Sequence, residues 1–409
     1  MTATLVLAPE DAVPGSPTGE TFLLGLPLVR RAALAAARAG FDRVYVLGGE
    51  PGGGSSREIL EGLLEGSGAR LVSREGVDLP PGRIVLLPDR IAASPAWLRS
   101  VREASVEPER VHRIGGGAIV ETRDPAPLAR ALAGASRLSA VLSAWGSALP
   151  ASATTVAVAA VEPPLEVRTD GELADAEDRL LQGLVKTQDG ILTRLISRKI
   201  SLAATRRLAR TRITPNAMTL VCAALGLLGA WSFASPAPTR QIAGGVLFLL
   251  HSILDGCDGE LARLKFQESR LGGVLDFWCD NIVHVAVFSA FAIAWTTATG
   301  ESWPLLLGVL AVSSTILSAG FIYSYAMRPR KGGGPLLTTV SPKHRSRLAG
   351  VLDALARRDF IYFVMVLALF GKAYWFLAPV AIGTPVFFAA LLVMAHGAGV
   401  AARRTSPAR

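Results

Sequence analysis

Four aspartates, Asp255, Asp258, Asp276 and Asp280, stand in the stretch LDGCDGELARLKFQESRLGGVLDFWCD, within a part of the chain whose hydropathy predicts membrane helices. A carboxylate at membrane depth is costly, and it marks a functional site when other groups share it. Asp255 and Asp258 are spaced i, i+3, and Asp276 and Asp280 i, i+4, so each pair falls on one face of a helix. Two such faces turned toward each other bring four carboxylates together, and like charges in a poorly solvated place force some of them to take up protons. Divalent cations remove that conflict, and an all-oxygen donor set suits hard ions such as Mg²⁺ or Mn²⁺. Gly256, Gly259 and Ala262 clear one side of the first helix, and Gly272 with Gly273 lets the second start close by, which leaves room for a neighbouring helix or a flat ligand.

The elements that must position these acids are long apolar segments. Six follow one another: Ile213 to Ala234, Gln241 to Leu264, Gly272 to Ala298, Trp303 to Ala326, Phe360 to Phe376 and Ala378 to Ala398. Each is near or above the roughly 20 residues a helix needs to cross a hydrocarbon core. Basic residues collect before the first segment, between the second and third, between the fourth and fifth, and after the sixth, whereas the opposite loops carry only Arg240 and Lys372. By the positive-inside tendency, an integral protein of the cytoplasmic (inner) membrane results, with both termini and the acidic site on the cytoplasmic side. The net charge of +9 on 409 residues therefore reads as topology, and nucleic acid is not expected as a partner. Three cysteines, Cys222, Cys257 and Cys279, form no framework for disulfides or a thiolate metal site. The start MTATLVLAPEDAVPG lacks the basic region and apolar length of a cleavable signal.

Residues 1–161 alternate strand-like and helix-like pieces. Strands are predicted at Ala3 to Ala8, Arg43 to Leu47, Arg70 to Val72, Arg83 to Leu87, Ala118 to Thr122 and Thr155 to Val161, with helices such as Leu28 to Ala39 between them, and this pattern indicates an α/β domain. Residues 162–212 read as a linker followed by an interfacial helix, in which apolar residues recur beside Arg194, Arg198, Lys199, Arg206 and Arg207. Residues 213–400 make the membrane domain. The predicted fold is thus a cytoplasmic α/β domain followed by an all-α domain of six transmembrane helices.

The spacing Asp255-x2-Asp258-Gly259-x2-Ala262-Arg263-x8-Gly272-x3-Asp276-x3-Asp280 matches the motif of the CDP-alcohol phosphotransferase family at all eight fixed positions. The likeness extends to the six spans and to Pro215-Asn216 at the head of the first. It implies that Asp255, Asp258 and Asp276 hold two divalent ions, Mg²⁺ or Mn²⁺, on a CDP diphosphate. Asp280 would be the general base and also touch a metal. Gly259 and Ala262 would line the cytidine pocket, with Arg263 near the diphosphate and Asn216 beside the nucleotide. The family also implies a homodimer.

The opening LVLAPEDAVPGSPTGETFLLGLPLVRRAALAAARAGFDRVYVLGG resembles the start of sugar-nucleotide and polyol-phosphate nucleotidyltransferases, which hold triphosphate with a glycine-rich, basic loop. Here the loop offers Gly15 and Gly19 with Glu10, Asp11 and Glu20, and its first basic residue is Arg30, so a degenerate domain that keeps the fold without nucleotidyl transfer is expected. Asp89 in LLPDR stands either where such enzymes bind metal or simply at a turn. The order of parts, with KTQDGILTRLISRKIS between them, resembles the fused inositol-1-phosphate cytidylyltransferase and di-myo-inositol-phosphate-phosphate synthases. That resemblance implies transfer from CDP-inositol to inositol phosphate with release of CMP.

A CDP-diacylglycerol donor with a polyol phosphate acceptor is the alternative, and a cation-binding membrane scaffold or transporter is the non-enzymatic one. In MRPRKGGG, Arg328, Arg330 and Lys331 are candidate contacts to an acceptor phosphate, or an ordinary basic loop. His251 and His284, each four residues from a motif aspartate, either reach that carboxylate or are polar spots on packed faces.

Overall fold

The structure, a computed structural model, describes residues 2–10, 15–48, 54–74, 77–135, 138–148, 154–155, 163–184, 197–327 and 360–405. The chain divides into two compact units, Met1–Gly183 and Leu184–Arg409.

The first unit is built on a seven-stranded mixed sheet in the order β10-β8-β9-β6-β1-β4-β5. Its strands are β1 (Ala3–Ala8), β4 (Arg43–Leu47), β5 (Arg70–Val72), β6 (Gly82–Pro88), β8 (His112–Ile114), β9 (Gly117–Thr122) and β10 (Thr154–Thr155). β6, β1, β4 and β5 run parallel, and β9 is antiparallel to both β6 and β8. Alternate residues of the parallel strands point to opposite faces. Val6, Tyr45, Leu47, Ile84 and Leu86 pack with Leu128 and Leu132 of α4 (Ala126–Gly134) and Leu138 and Val141 of α5 (Leu138–Ala148). Leu5, Leu7, Val85 and Leu87, one residue out of phase, are also buried. α1 (Leu28–Ala39) ends at Gly40, whose φ of 85° is the left-handed cap that glycine adopts without a Cβ penalty. α2 (Gly54–Leu64) precedes β5, and α3 (Pro95–Glu103) is capped by the Ser94 hydroxyl, which accepts from the Trp97 amide.

Two small sheets complete the unit: the hairpin β2 (Phe22–Leu23) with β3 (Leu26–Pro27), and β7 (Ile91–Ala92) with β11 (Leu165–Glu166). β11 comes from the stretch expected to be linker, and the helix α6 (Asp170–Gln182) from residues 162–212, expected to be linker and interfacial helix. Arg90 meets Glu166 in a buried ion pair, and Leu173 and Leu180 pack with Leu23, Leu28 and Val167. The division between units therefore falls at Gly183 and not at residue 161. The strand expected over Thr155 to Val161 lies outside the described residues after Thr155.

The second unit is helical: α7 (Arg198–Ala209), α8 (Pro215–Phe233), α9 (Pro238–Lys265), α10 (Arg270–Thr299), α11 (Trp303–Ile322), α12 (Phe360–Leu369) and α13 (Leu377–Thr405). Among the described residues, five stretches are long and apolar enough to cross a membrane, beginning at Pro215, Pro238, Arg270, Trp303 and Ala373. The expected fifth span, Phe360 to Phe376, is divided within the described residues. α12 ends before Gly371, which takes φ 70° and packs on Pro238, and the chain restarts in a short 3₁₀ turn at Ala373–Phe376. The core is aromatic and small-residue packing, with the Phe233 and Phe291 ring centroids 4.8 Å apart and Phe248 beside Phe233.

One end of this bundle is rich in tryptophan. Trp295 and Trp303 meet edge to face at 4.8 Å. Arg240 lies 3.9 Å over the Trp231 ring and Lys372 4.3 Å over the Trp375 ring. The only two cations of the arginine-poor loops are thus both seated on indole faces, as in an interfacial aromatic belt.

Candidate active site

The aspartates lie at the opposite end, where α9 turns into α10. Phe266 closes α9 in the left-handed conformation at φ 57°, and Ser269 caps α10 by accepting from the Gly272 amide at 3.0 Å. So short a connection turns the chain back, and α9 and α10 both pack on α8. Oxygens of Asp255, Asp276 and Asp280 then lie within 4.8 Å of one another, with Asp255 buried and the other two half-buried. Three carboxylates this close repel one another, and hard divalent ions are what such a donor set holds best. The residues present fit that group.

Asp258 is buried beside this trio but outside it. Its carboxylate accepts from the Thr219 hydroxyl of α8 and from the Gly259 amide. These two bonds fix the direction of the group. The Thr214 hydroxyl caps α8 by accepting from the Ala217 amide at 3.3 Å. That start brings Asn216 to α10: a Cβ on Gly272 would sit 3.0 Å from Asn216 Oδ1, so only glycine there leaves the amide its place. Ala262 is buried, and the Arg263 guanidinium lies back over Gly259. The fold thus gathers the motif residues and Asn216 at one end of three helices.

The two histidines do not spend their Nδ1 atoms on carboxylates. His251 Nδ1 is 2.9 Å from the Cys222 carbonyl, which ties α9 to α8, and His284 Nδ1 is 2.8 Å from the Asp280 main-chain carbonyl. Their rings, with Phe248, Ser252 and Phe360, wall a cavity of about 20 Å³ under Asp255 and Asp280. That is room for about one water. Arg328, Arg330 and Lys331 lie outside the described residues.

Two residues escape a reading by motif alone. Thr219 is one; the other is Glu260, fully buried although it stands within the motif. The available signal for Glu260 is a further acid two residues after Asp258 and, upstream, hydroxyls at Ser201 and Thr205 spaced i, i+4.

In the first unit, Asp89 ends β6 beside β1, the point where the strand order reverses and where ligands of open α/β sheets bind. Here that point is covered by the chain itself. A Cβ on Gly19 would fall 2.6 Å from Asp89 Oδ2. The Leu28 and Val29 amides, at the head of α1, donate to the Thr21 and Gly19 carbonyls at 3.0 and 2.9 Å, so they are not left for a phosphate. Burial pushes the Asp89 carboxyl up to about 6 against the pull of neighbouring Arg90.

Residues 212–342 match the CDP-alcohol phosphatidyltransferase family. The chain is 33% identical over 154 residues to a bifunctional IPC transferase and DIPP synthase of Thermococcus kodakarensis, covering 37% of this chain and 34% of that one. It is 34% identical over 155 residues to the protein of the same name from Rubrobacter xylanophilus, covering 37% and 35%. A phosphatidylinositol phosphate synthase of Mycobacteroides abscessus is 31% identical over 149 residues, covering 36% of this chain and 66% of its own length. The chain thus spans about a third of the length of the two bifunctional relatives. All four motif aspartates, Thr219 and Glu260 lie inside the segment that matches the CDP-alcohol phosphatidyltransferase family.

Proposed function

We propose that the chain is an integral-membrane CDP-alcohol phosphotransferase. It moves a phospho-alcohol group from a CDP-alcohol to an acceptor hydroxyl and releases CMP. The observation that carries this reading is the convergence of Asp255, Asp276 and Asp280, from two helices, inside the family segment. Asp255, Asp258, Asp276 and Asp280 would hold two Mg²⁺ or Mn²⁺ ions. When bound, such ions neutralise charge on the transferring phosphoryl group and on departing CMP.

The chain's own residues do the rest. Asp280 accepts the acceptor's hydroxyl proton as its oxygen attacks the phosphorus attached to the donor alcohol, and the bond from that phosphorus to the CMP oxygen breaks. Thr219 keeps Asp258 aimed. Gly259 and Ala262 offer the small-residue wall against which a cytosine ring fits, and Arg263 and Asn216 flank the diphosphate and nucleotide. Arg328, Arg330 and Lys331 would meet an acceptor phosphate.

For substrates, the names of the two bifunctional relatives favour CDP-inositol as donor and inositol phosphate as acceptor. The phosphatidylinositol phosphate synthase relative favours the second reading, a CDP-diacylglycerol donor with a polyol phosphate acceptor. For the first unit, an α/β domain with a mixed sheet, the proposal is a nucleotidyltransferase-like domain that has lost nucleotidyl transfer, a reading supported by Gly19 lying against Asp89. Six spans, a homodimer, and cytoplasmic placement of the site and both termini complete the proposal, the topology supported by the two cations seated on tryptophan at the other end.

The test is CMP release by full-length protein in detergent with Mg²⁺ or Mn²⁺, offered CDP-inositol or CDP-diacylglycerol with inositol phosphate. CMP from either donor supports the enzyme and selects its donor. No CMP from any CDP-alcohol favours the cation-binding scaffold. In a parallel arm, CTP with a polyol phosphate should yield no pyrophosphate.

A further inference from the structure

Glu260 points away from the aspartates, toward α7. Its carboxylate pairs with the Arg198 guanidinium and accepts from the Ser201 hydroxyl at 2.8 and 2.9 Å and from Thr205 Oγ1 at 2.7 Å. Positions 198, 201 and 205 form one stripe of α7, and Ser201, Thr205 and Glu260 are all buried. A buried carboxylate is tolerable only when paired and hydrogen-bonded, so this set acts as a unit.

The other edge of α7 is apolar. Ala204 and Leu208 pack on Met218 and Cys222 of α8 and on Leu254 and Cys257 of α9. α7 is therefore laid along α9, with a shared apolar cluster reaching α8, next to the place where those two helices meet through Thr219 and Asp258. Its two ends are fastened as well. Ser197 Oγ lies 2.7 Å from the Tyr362 hydroxyl of α12, and Lys265 Nζ donates to the Thr211 and Ile213 carbonyls at 2.7 and 3.2 Å.

We propose that Glu260 is a positioning residue for the carboxylate site: by pinning α7 along α9, beside the apolar cluster shared with α8, it holds Asp258 against Thr219 and so fixes where the Asp258 carboxylate points. The inference rests on the reading of the aspartates as metal ligands. It makes the segment before the first span part of the site's framework, although none of its residues belongs to the aspartate motif.

The experiment measures Mn²⁺ affinity of the full-length detergent-solubilised protein by the paramagnetic signal of free Mn²⁺. The proteins compared are wild type, Glu260→Gln, Ser201→Ala/Thr205→Val, Thr219→Val and the Glu260→Gln/Thr219→Val pair. Partners that orient metal ligands are typically worth about 10- to 100-fold in affinity. Glu260→Gln is expected to weaken Mn²⁺ by about 10-fold. Ser201→Ala/Thr205→Val, which keeps the Arg198 pair and guards against misfolding of the first variant, should weaken it in the same direction. Because both act through Asp258, adding Glu260→Gln to Thr219→Val should cost little more than Thr219→Val alone.

A purely structural role would instead lower metal-free thermal stability and leave Mn²⁺ affinity untouched. Wild-type affinity in both the Glu260 and the Ser201/Thr205 variants, or costs that multiply fully in the double variant, would overturn the positioning role. No Mn²⁺ binding by the wild type would overturn the metal reading beneath it, and the positioning role with it.

Discussion

The Thr219 hydroxyl, one turn into α8, donates to the carboxylate of Asp258 on α9. The bond joins two helices at the one motif aspartate that stands apart from the other three. Removing the donor takes from a buried carboxylate the hydrogen bond that ties it to α8 and loosens its direction. Thr219→Val should therefore weaken Mn²⁺ binding by about 10-fold or more, while Thr219→Ser, which keeps the hydroxyl, stays near wild type. Equal affinity in the valine variant, measured by titration, would show that Asp258 needs no aiming.

Metal should stabilise the protein. The gathered carboxylates repel one another, and an ion that binds only the native arrangement adds about 2.7 kcal/mol at a hundred times its dissociation constant. Mg²⁺ or Mn²⁺ is expected to raise the melting temperature of the solubilised protein. The rise should shrink in Asp255→Asn, Asp258→Asn and Asp276→Asn, and persist in Glu301→Gln, an exposed acid at the bundle's other end. A flat melting curve against metal, or an equal loss in the Glu301 variant, contradicts the assignment.

Asp280→Asn keeps the shape and one ligand oxygen but takes away the proton acceptor. Donor binding should survive while turnover falls by roughly 10² or more. Single-turnover CMP release beside equilibrium binding of the donor separates the two. Near wild-type turnover would place the base elsewhere.

Asp89 gives the first unit a pH dependence. Burial raises its carboxyl from 3.8 to about 6 in the folded state. A raised folded value means that the favourable contribution is complete below about pH 4 and fades as pH climbs through about 6. Holding the ionised form at neutral pH then costs up to about 3 kcal/mol. Asp89→Asn can still accept the local amide hydrogen bonds, so it should increase amide-exchange protection of the Gly82–Pro88 strand at pH 8 and leave it unchanged near pH 4. The same gain at both pH values would mean that charge burial is not the cause.

Much of this architecture is legible in local sequence. Leu28–Ala39 appears as a helix with its expected bounds, and β1, β4 and β5 match the predicted strands, because an amphipathic period or a short β-branched run acts over neighbouring residues. β8, His112-Arg113-Ile114, has a single apolar residue beside two polar ones and so shows no apolar run. β7 and β11 form only by pairing with each other across more than seventy positions, and no local pattern announces that partner.

The same division runs through the site. Spacing in the sequence determined which carboxylates share a helix face, the small residues beside them and the apolar spans that carry them, since these depend only on the helical repeat. Which face meets which neighbour was decided by the tertiary structure alone. Helix rotation and packing set Asp255, Asp276 and Asp280 together, turned Asp258 to Thr219, and gave Glu260 to Arg198, Ser201 and Thr205. Those partners lie up to 62 positions away in the chain, and helical periodicity fixes a direction on one helix, never the residue that waits there on another.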